Sequence, residues 1–217
     1  MVDLVVFDCD GVLVDSEPIA NRVLTQALTE LGLSLSAQEV SQATTGHSMK
    51  QVVVWAERAL GGQLPQDFVS QIQALTYEAF RKELKPVSGA DVVLDEIAAN
   101  EIAYCVASSG DHEKMRFTLG LTGLLGRLEG RMFSTSDVAR GKPAPDVFLL
   151  AAREHGVAVS KSVVIEDSLP GVAGGLAAGM TVYGFAAHAV RRQNELREAG
   201  AIVFDDLRDL PELLGLF

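Results

Sequence analysis

Val5-Val6-Phe7-Asp8-Cys9-Asp10-Gly11-Val12-Leu13-Val14-Asp15-Ser16 starts as an apolar strand and breaks into acid. Val2 and Leu4 to Phe7 are β-branched or bulky, and a short continuous apolar run suits a central parallel strand covered on both faces. Asp8 falls at the strand's carboxyl end, where open parallel sheets place ligand crevices. Asp10 follows two residues later, with Gly11 allowing a turn. Two carboxylates at such an edge invite a cation or a proton transfer. Alone, a D-x-D-G reads more simply as a strand followed by an Asp-Gly turn, so the weight falls on what the remaining chain supplies.

Downstream, strands and helices alternate. A helix of about ten residues after Pro86 and Gly89 leads to the strand Ile102 to Ala107, which ends in Ser108-Ser109-Gly110. A helix from Asp111 to Leu121 follows, then a short strand near Arg131 to Ser134. Gly141-Lys142-Pro143-Ala144-Pro145-Asp146 opens a helix to His155. Ser162 to Ile165 runs into Glu166-Asp167-Ser168, Pro170 starts a helix that Gly179 ends, and Thr181 to Phe185 reads as another strand. A last helix, strand and short helix complete the pattern, which implies a parallel sheet wrapped by helices with right-handed crossovers.

The first strand must belong to that sheet, yet residues 16–84 contain no convincing strand. Ile19, Val23, Leu24, Ala27, Leu28 and Leu31 recur at helical spacing and Gly32 stops the run. Ser36 to Glu39 has capping-box spacing, Ser48 can cap a helix through Leu60, and Pro65 can open another to about Leu84. The expected organisation is a doubly wound α/β core, 1–15 and 85–217, with an all-helical domain, 16–84, inserted after the first strand.

Composition agrees with a folded enzyme-sized chain and narrows its partners. With 217 residues, of which 48% are hydrophobic and 22% charged, the chain can build a sizeable core and is too apolar for disorder. A formal charge of −11 argues against nucleic acid as a partner, because phosphate-backbone binding needs an extended basic surface. Cys9 and Cys105 sit among apolar neighbours in expected buried strands, which is core usage and not a disulfide framework. No signal-like segment stands out, and no apolar stretch approaches the roughly 20 residues that span a bilayer. The expectation is a cytoplasmic protein with no membrane partner; nothing in the spacing speaks to oligomeric state.

Four strand-to-loop transitions present Asp8 and Asp10, Ser108, Lys142, and Glu166 with Asp167, and in a parallel sheet those ends converge. Three carboxylates and a backbone carbonyl at one edge form an oxygen-rich site of the sort Mg²⁺ accepts, with waters left for a phosphate to displace. No Cys or His lies near enough in these motifs to suggest zinc. Taken singly, Ser108 or Ser109 fits a helix cap, Lys142 a solvated lysine, and Asp167 or Ser168 a cap for the helix at Pro170. Their convergence reverses that preference.

With these motifs in order, the chain resembles the haloacid dehalogenase superfamily, and within it the β-phosphoglucomutase-like phosphatases with a helical cap. The resemblance covers essentially the whole chain. It implies that Asp8 attacks phosphorus to form a phosphoaspartyl intermediate while Asp10 protonates the leaving oxygen and then activates water. It implies Mg²⁺ held by the Asp8 carboxylate, the Asp10 carbonyl and Asp167, with Glu166 bound directly or through water. Ser108, Ser109 and Lys142 would bind the transferring phosphoryl group. The substrate class implied is a small phosphorylated metabolite of the sugar or sugar-acid type.

Specificity in such a family lies in the inserted cap. Its expected contact loop is Thr44 to Lys50, with His47 and Lys50 as candidate substrate contacts. His47 fits a hydrogen-bonded structural role equally well, and Ser16 and Asp15 fit either hinge geometry or substrate contact. The related mutases carry an arginine in this loop where Met49 stands here, and a histidine where this chain has Ala20; both departures favour hydrolysis over mutase chemistry. A catalytically retired binding protein is the alternative from another class. Trp55, Val52 and Val53 are expected to pack between cap helices, and His112, His155 and His188 carry no signal.

Overall fold

The computed structural model describes residues 1–44, 49–187 and 190–216. Along the chain run β1 (Leu4–Phe7), α1 (Glu17–Glu30), α2 (Ala37–Thr44), α3 (Met49–Leu60), α4 (Phe68–Glu83), α5 (Ala90–Ala99) and β2 (Ala103–Ser108). Then follow α6 (His112–Leu121), α7 (Leu125–Leu128), β3 (Met132–Ser134), α8 (Asp146–Glu154), β4 (Ser162–Glu166) and α9 (Leu169–Ala177). The last elements are β5 (Thr181–Phe185), α10 (Val190–Glu198), β6 (Ile202–Phe204) and α11 (Leu210–Leu213). The chain forms two compact units, Met1–Asp15 with Lys85–Phe217, and Ser16–Leu84.

The first unit is built on a six-stranded sheet in the order β3-β2-β1-β4-β5-β6, with every pairing parallel. Winding proceeds outward from β1 to β3 on one side and from β4 to β6 on the other. The reversal between β1 and β4 opens a crevice at their carboxyl ends, the position where doubly wound sheets hold ligands. All four residues of β1 are fully buried, as its uninterrupted apolar composition requires of a strand covered on both faces. Leu4 and Val6 share one face with Cys105, Ala107 and Val164, packed under Val147, Phe148 and Ala151 of α8 and Val172 of α9.

Several local expectations shift. β1 ends at Phe7, so Cys9 lies in the following loop and not in a strand, although its side chain is buried all the same. The cap of α6 is Asp111, whose carboxylate accepts from the Lys114 N–H, and neither Ser108 nor Ser109 fills that place. Pro65 starts only a turn, accepting from the Phe68 N–H, and α4 begins three residues later. The one-turn α7 has too little periodicity to be read from sequence.

The second unit comprises α1 to α4. Leu24 and Leu28 of α1, Val40 of α2, Val52 and Ala56 of α3, and Phe68 and Ile72 of α4 form its core, with Trp55 at the margin. The Ser36 and Glu39 side chains exchange bonds with each other's backbone N–H, which is the capping box expected there. Ser48 lies outside the described residues. Among the described residues no helix is long and apolar enough to cross a membrane.

Candidate active site

The strand register determines what meets at the crevice. Phe7 pairs with Val106 of β2 and with Ile165 of β4, so the next residues along each strand, Asp8, Ala107 and Glu166, come level. The Asp8 N–H continues the ladder by donating to the Ile165 carbonyl at 2.8 Å. Beyond Asp8 the chain folds back at once. The Leu13 and Val14 N–H groups both donate to the Cys9 carbonyl, and Gly11 N–H to that of Val14. Val12, Leu13 and Val14 are thereby buried and Asp10 is left at the edge.

Lys142 ties the three strands together. Its ammonium donates to Asp8 Oδ1 at 2.6 Å, to the Ala107 carbonyl at 2.9 Å and to Glu166 Oε1 at 2.5 Å. Only 3% of its side chain is exposed. Burial alone would lower the affinity of this amine for its proton, but Asp8 and Glu166 outweigh that and hold it above the ordinary lysine value. Burial pushes the Asp8 carboxyl up to about 7, with Lys142 opposing and Glu166 adding to the rise.

Glu166 is fully committed within the protein. Its Oε1 takes the Lys142 bond, and its Oε2 accepts from the Asp167 N–H, the Ser168 N–H and the Ser168 hydroxyl. Ser168 in turn accepts from the Gly171 N–H and so caps α9. Gly171 must lack a side chain, because a Cβ there would overlap the Glu166 carboxylate. Gly11 meets a double demand: its φ of +80° lies in the left-handed region, and a Cβ would collide with the Asp167 carboxylate.

Carboxylate oxygens of Asp8, Glu166 and Asp167 all lie within 4.8 Å of one another, and all three residues are buried. Three carboxylates gathered this closely repel one another, and a divalent cation among them would relieve that repulsion. An all-oxygen donor set fits a hard ion such as Mg²⁺. Neither thiol is suited to join that set. Burial, with Asp10 and Asp8 beside Cys9, holds that thiol well above its ordinary value, and burial does the same to Cys105.

Asp10 has a partner that sequence reading overlooked. The Lys114 ammonium donates to Asp10 Oδ2 at 2.7 Å, and burial, which opposes its charge, is outweighed by Asp10, so the amine stays above the ordinary lysine value. The available signal was Asp111 as an N-cap, which places Lys114 in the first turn of the helix after the Ser-Ser-Gly strand end. Ser108 is buried and its hydroxyl accepts from the Gly110 N–H at 3.0 Å, which leaves its own O–H to donate.

Asp8, Asp10, Ser108, Lys142, Glu166 and Asp167 thus share one sheet edge of the first unit. Ser109 is exposed and its carbonyl accepts from the Thr135 hydroxyl. Ser16 is the buried residue preceding α1, and Lys50 is exposed in the first turn of α3; both belong to the second unit. His47 lies outside the described residues, as does His188. His112 pairs with Asp137, and His155 meets the Ala151 carbonyl.

Comparison with known proteins adds independent findings. Residues 2–179 match the family model described as haloacid dehalogenase-like hydrolase. The chain is 30% identical over 213 residues to 6-phosphogluconate phosphatase of Escherichia coli, covering 98% of this chain and 94% of the relative. It is 32% identical over 179 residues to hexitol phosphatase A of the same organism, covering 81% and 79%. A HAD family hydrolase from Deinococcus radiodurans, solved with bound phosphate and sodium, superimposes with a TM-score of 0.86 at 30% identity, covering 100% of this chain and 97% of that one.

Proposed function

The chain belongs to the haloacid dehalogenase-like hydrolases, and from that premise we propose that it is a Mg²⁺-dependent phosphatase of small phosphorylated metabolites. The observation that carries this reading is the buried Asp8 carboxylate, held level with Glu166 by Lys142 and one turn of chain away from Asp10. A carboxylate paired in this way is oriented for attack, and a second carboxyl two residues on is placed to exchange protons.

In the first step an Asp8 oxygen forms a bond to phosphorus as the ester P–O bond breaks, and the departing alkoxide takes a proton from Asp10. In the second, Asp10 takes a proton from water as that water's oxygen bonds to phosphorus. The bond from phosphorus to Asp8 breaks, phosphate leaves, and the Asp8 carboxylate is restored. The Ser108 hydroxyl supplies a donor to the phosphoryl oxygens, and the Lys142 ammonium, whose three N–H bonds go to Asp8, the Ala107 carbonyl and Glu166, supplies fixed positive charge beside them.

Asp8, Asp167 and the Asp10 carbonyl would hold Mg²⁺, and Glu166, with both oxygens engaged, would act through Lys142 or through water. When bound, the cation offsets the like charges of carboxylate and phosphate. The second unit, Ser16–Leu84, would serve as the cap that selects the substrate.

The substrate class is a sugar, sugar-alcohol or sugar-acid phosphate, supported by the activities named for the two Escherichia coli relatives. Met49 and Ala20, in place of the arginine and histidine of the related mutases, favour release of phosphate to water. The test is a panel of phosphate monoesters with Mg²⁺, including 6-phosphogluconate and hexitol phosphates, scored for inorganic phosphate and for isomerised sugar. Phosphate release from members of these classes is expected. Isomerisation without release would make the protein a mutase, and inactivity on the whole panel would overturn the reading.

A further inference from the structure

Helix α6 grips the loop between the two aspartates at consecutive points on one face. Lys114 and Thr118 are four residues apart, so their side chains emerge one above the other. The Lys114 ammonium donates to Asp10 Oδ2 at 2.7 Å, and the Thr118 hydroxyl, fully buried, lies 4.0 Å from the Cys9 sulfur. The two loop residues following Asp8 are each met by one of these helix residues.

Lys114 is itself held at both ends. Its N–H donates to the Asp111 carboxylate at 2.8 Å, and its carbonyl accepts from the Thr118 hydroxyl at 3.0 Å. Its stem runs past Gly110, where an added Cβ would stand 3.2 Å from Lys114 Cδ, 3.4 Å from Ser108 Oγ and 3.9 Å from Asp10 Oδ2. A long side chain normally free to sample many rotamers is here threaded along a strand end toward one carboxylate oxygen.

We propose that Lys114 is a positioning residue: seated by α6 against Asp10 Oδ2, it holds the Asp10 carboxyl in the orientation from which that group exchanges protons with the leaving oxygen and with water. This rests on the phosphatase reading above. An alkoxide needs a proton to depart, whereas a nitrophenolate departs without one. Attack of water on the phosphoaspartate needs a base whichever ester formed it.

The experiment compares wild type, Lys114→Met and Lys114→Arg on an alkyl phosphate that the wild type turns over and on 4-nitrophenyl phosphate, with circular dichroism to verify folding. For Lys114→Met, kcat on the alkyl ester is expected to fall by about 10- to 100-fold with KM little changed. On the nitrophenyl ester the same variant is expected to release a stoichiometric burst of nitrophenolate followed by slow turnover. Lys114→Arg, which keeps a cation within reach of Oδ2, is expected to recover part of the loss. A purely structural role would shrink the burst along with the turnover and would overturn the assignment. A rise in KM alone would make Lys114 a direct substrate contact and overturn it as well, as would unchanged kinetics. A wild type inactive on every ester would overturn the phosphatase reading, and this assignment with it.

Discussion

Lys142 and Glu166 meet at 2.5 Å in an ion pair whose side chains are only 3% and 0% exposed, and the same ammonium reaches Asp8 at 2.6 Å. A lysine from the loop before α8 thus neutralises carboxylates at the ends of two adjacent strands. The opposite oxygen of Glu166 is anchored by the N–H groups that lead into α9. Lys142 is the member common to both pairs, so its loss deprives two buried carboxylates of their ammonium at once.

Lys142→Met is therefore expected to lower the unfolding free energy of the metal-free protein at neutral pH by about 3–5 kcal/mol, the usual cost of removing one partner of a buried pair. Urea unfolding in EDTA measures it. A change under about 1 kcal/mol would mean that Asp8 and Glu166 do not depend on the ammonium.

Asp8 makes stability depend on pH. Its carboxyl is raised from 3.8 to about 7, so between those values the folded chain keeps a proton that the unfolded chain has released. Its contribution is fully present below pH 3.8 and is lost as pH rises through about 7. In EDTA, the unfolding free energy of the wild type is expected to fall between about pH 5.5 and 8 by on the order of 2 kcal/mol more than that of Asp8→Asn. Parallel curves for the two proteins would remove Asp8 as the cause. The same variant is expected to have no turnover above background.

Mg²⁺ is expected to raise the melting temperature, because Asp8, Glu166 and Asp167 bring three buried carboxylates within 4.8 Å of one another. Saturation at a hundredfold over Kd corresponds to about 2.7 kcal/mol. The effect should be larger at about pH 8 than at about pH 5.5, since a carboxylate ligand must shed its proton to bind. Asp167→Asn should weaken it. Equal shifts in wild type and Asp167→Asn would place the cation elsewhere, and turnover that survives EDTA would dispense with it.

Gly171→Ala tests the packing behind the site. The added methyl would overlap the Glu166 carboxylate, whereas the same change at Gly126 meets nothing within 4 Å. Gly171→Ala is expected to cost about 1–3 kcal/mol and to depress kcat by displacing Glu166 from Lys142. Gly126→Ala should be neutral or slightly stabilising. Thermal melts and turnover of the two variants side by side decide the matter.

Much of the site could be read before the fold because its residues sit at strand ends, where composition changes abruptly. Val5-Val6-Phe7 turning into Asp8, and Val163-Val164-Ile165 turning into Glu166-Asp167, each mark a carboxyl end by the switch from apolar to acidic residues. Parallel connectivity then brings such ends to one edge. Lys114 escaped because its partner is 104 residues away and a lysine in a first helical turn is ordinary; only the rotation of α6 aims it at Asp10. The start of α4 escaped because Pro65 is compatible with either a turn or a helix.

Local chemistry along the chain was sufficient for the α/β class, for the acidic strand ends and for the family resemblance, since these depend on residue type and spacing alone. The division of labour at the Asp8-Cys9-Asp10 loop needed the tertiary structure. Register makes Asp8 level with Glu166 so that one ammonium can bridge them, the engaged oxygens of Glu166 separate it from Asp167, and α6 reaches across to Asp10 and Cys9. Those relations are set by the stacking of strands and the rotation of a helix, and no stretch of sequence contains either.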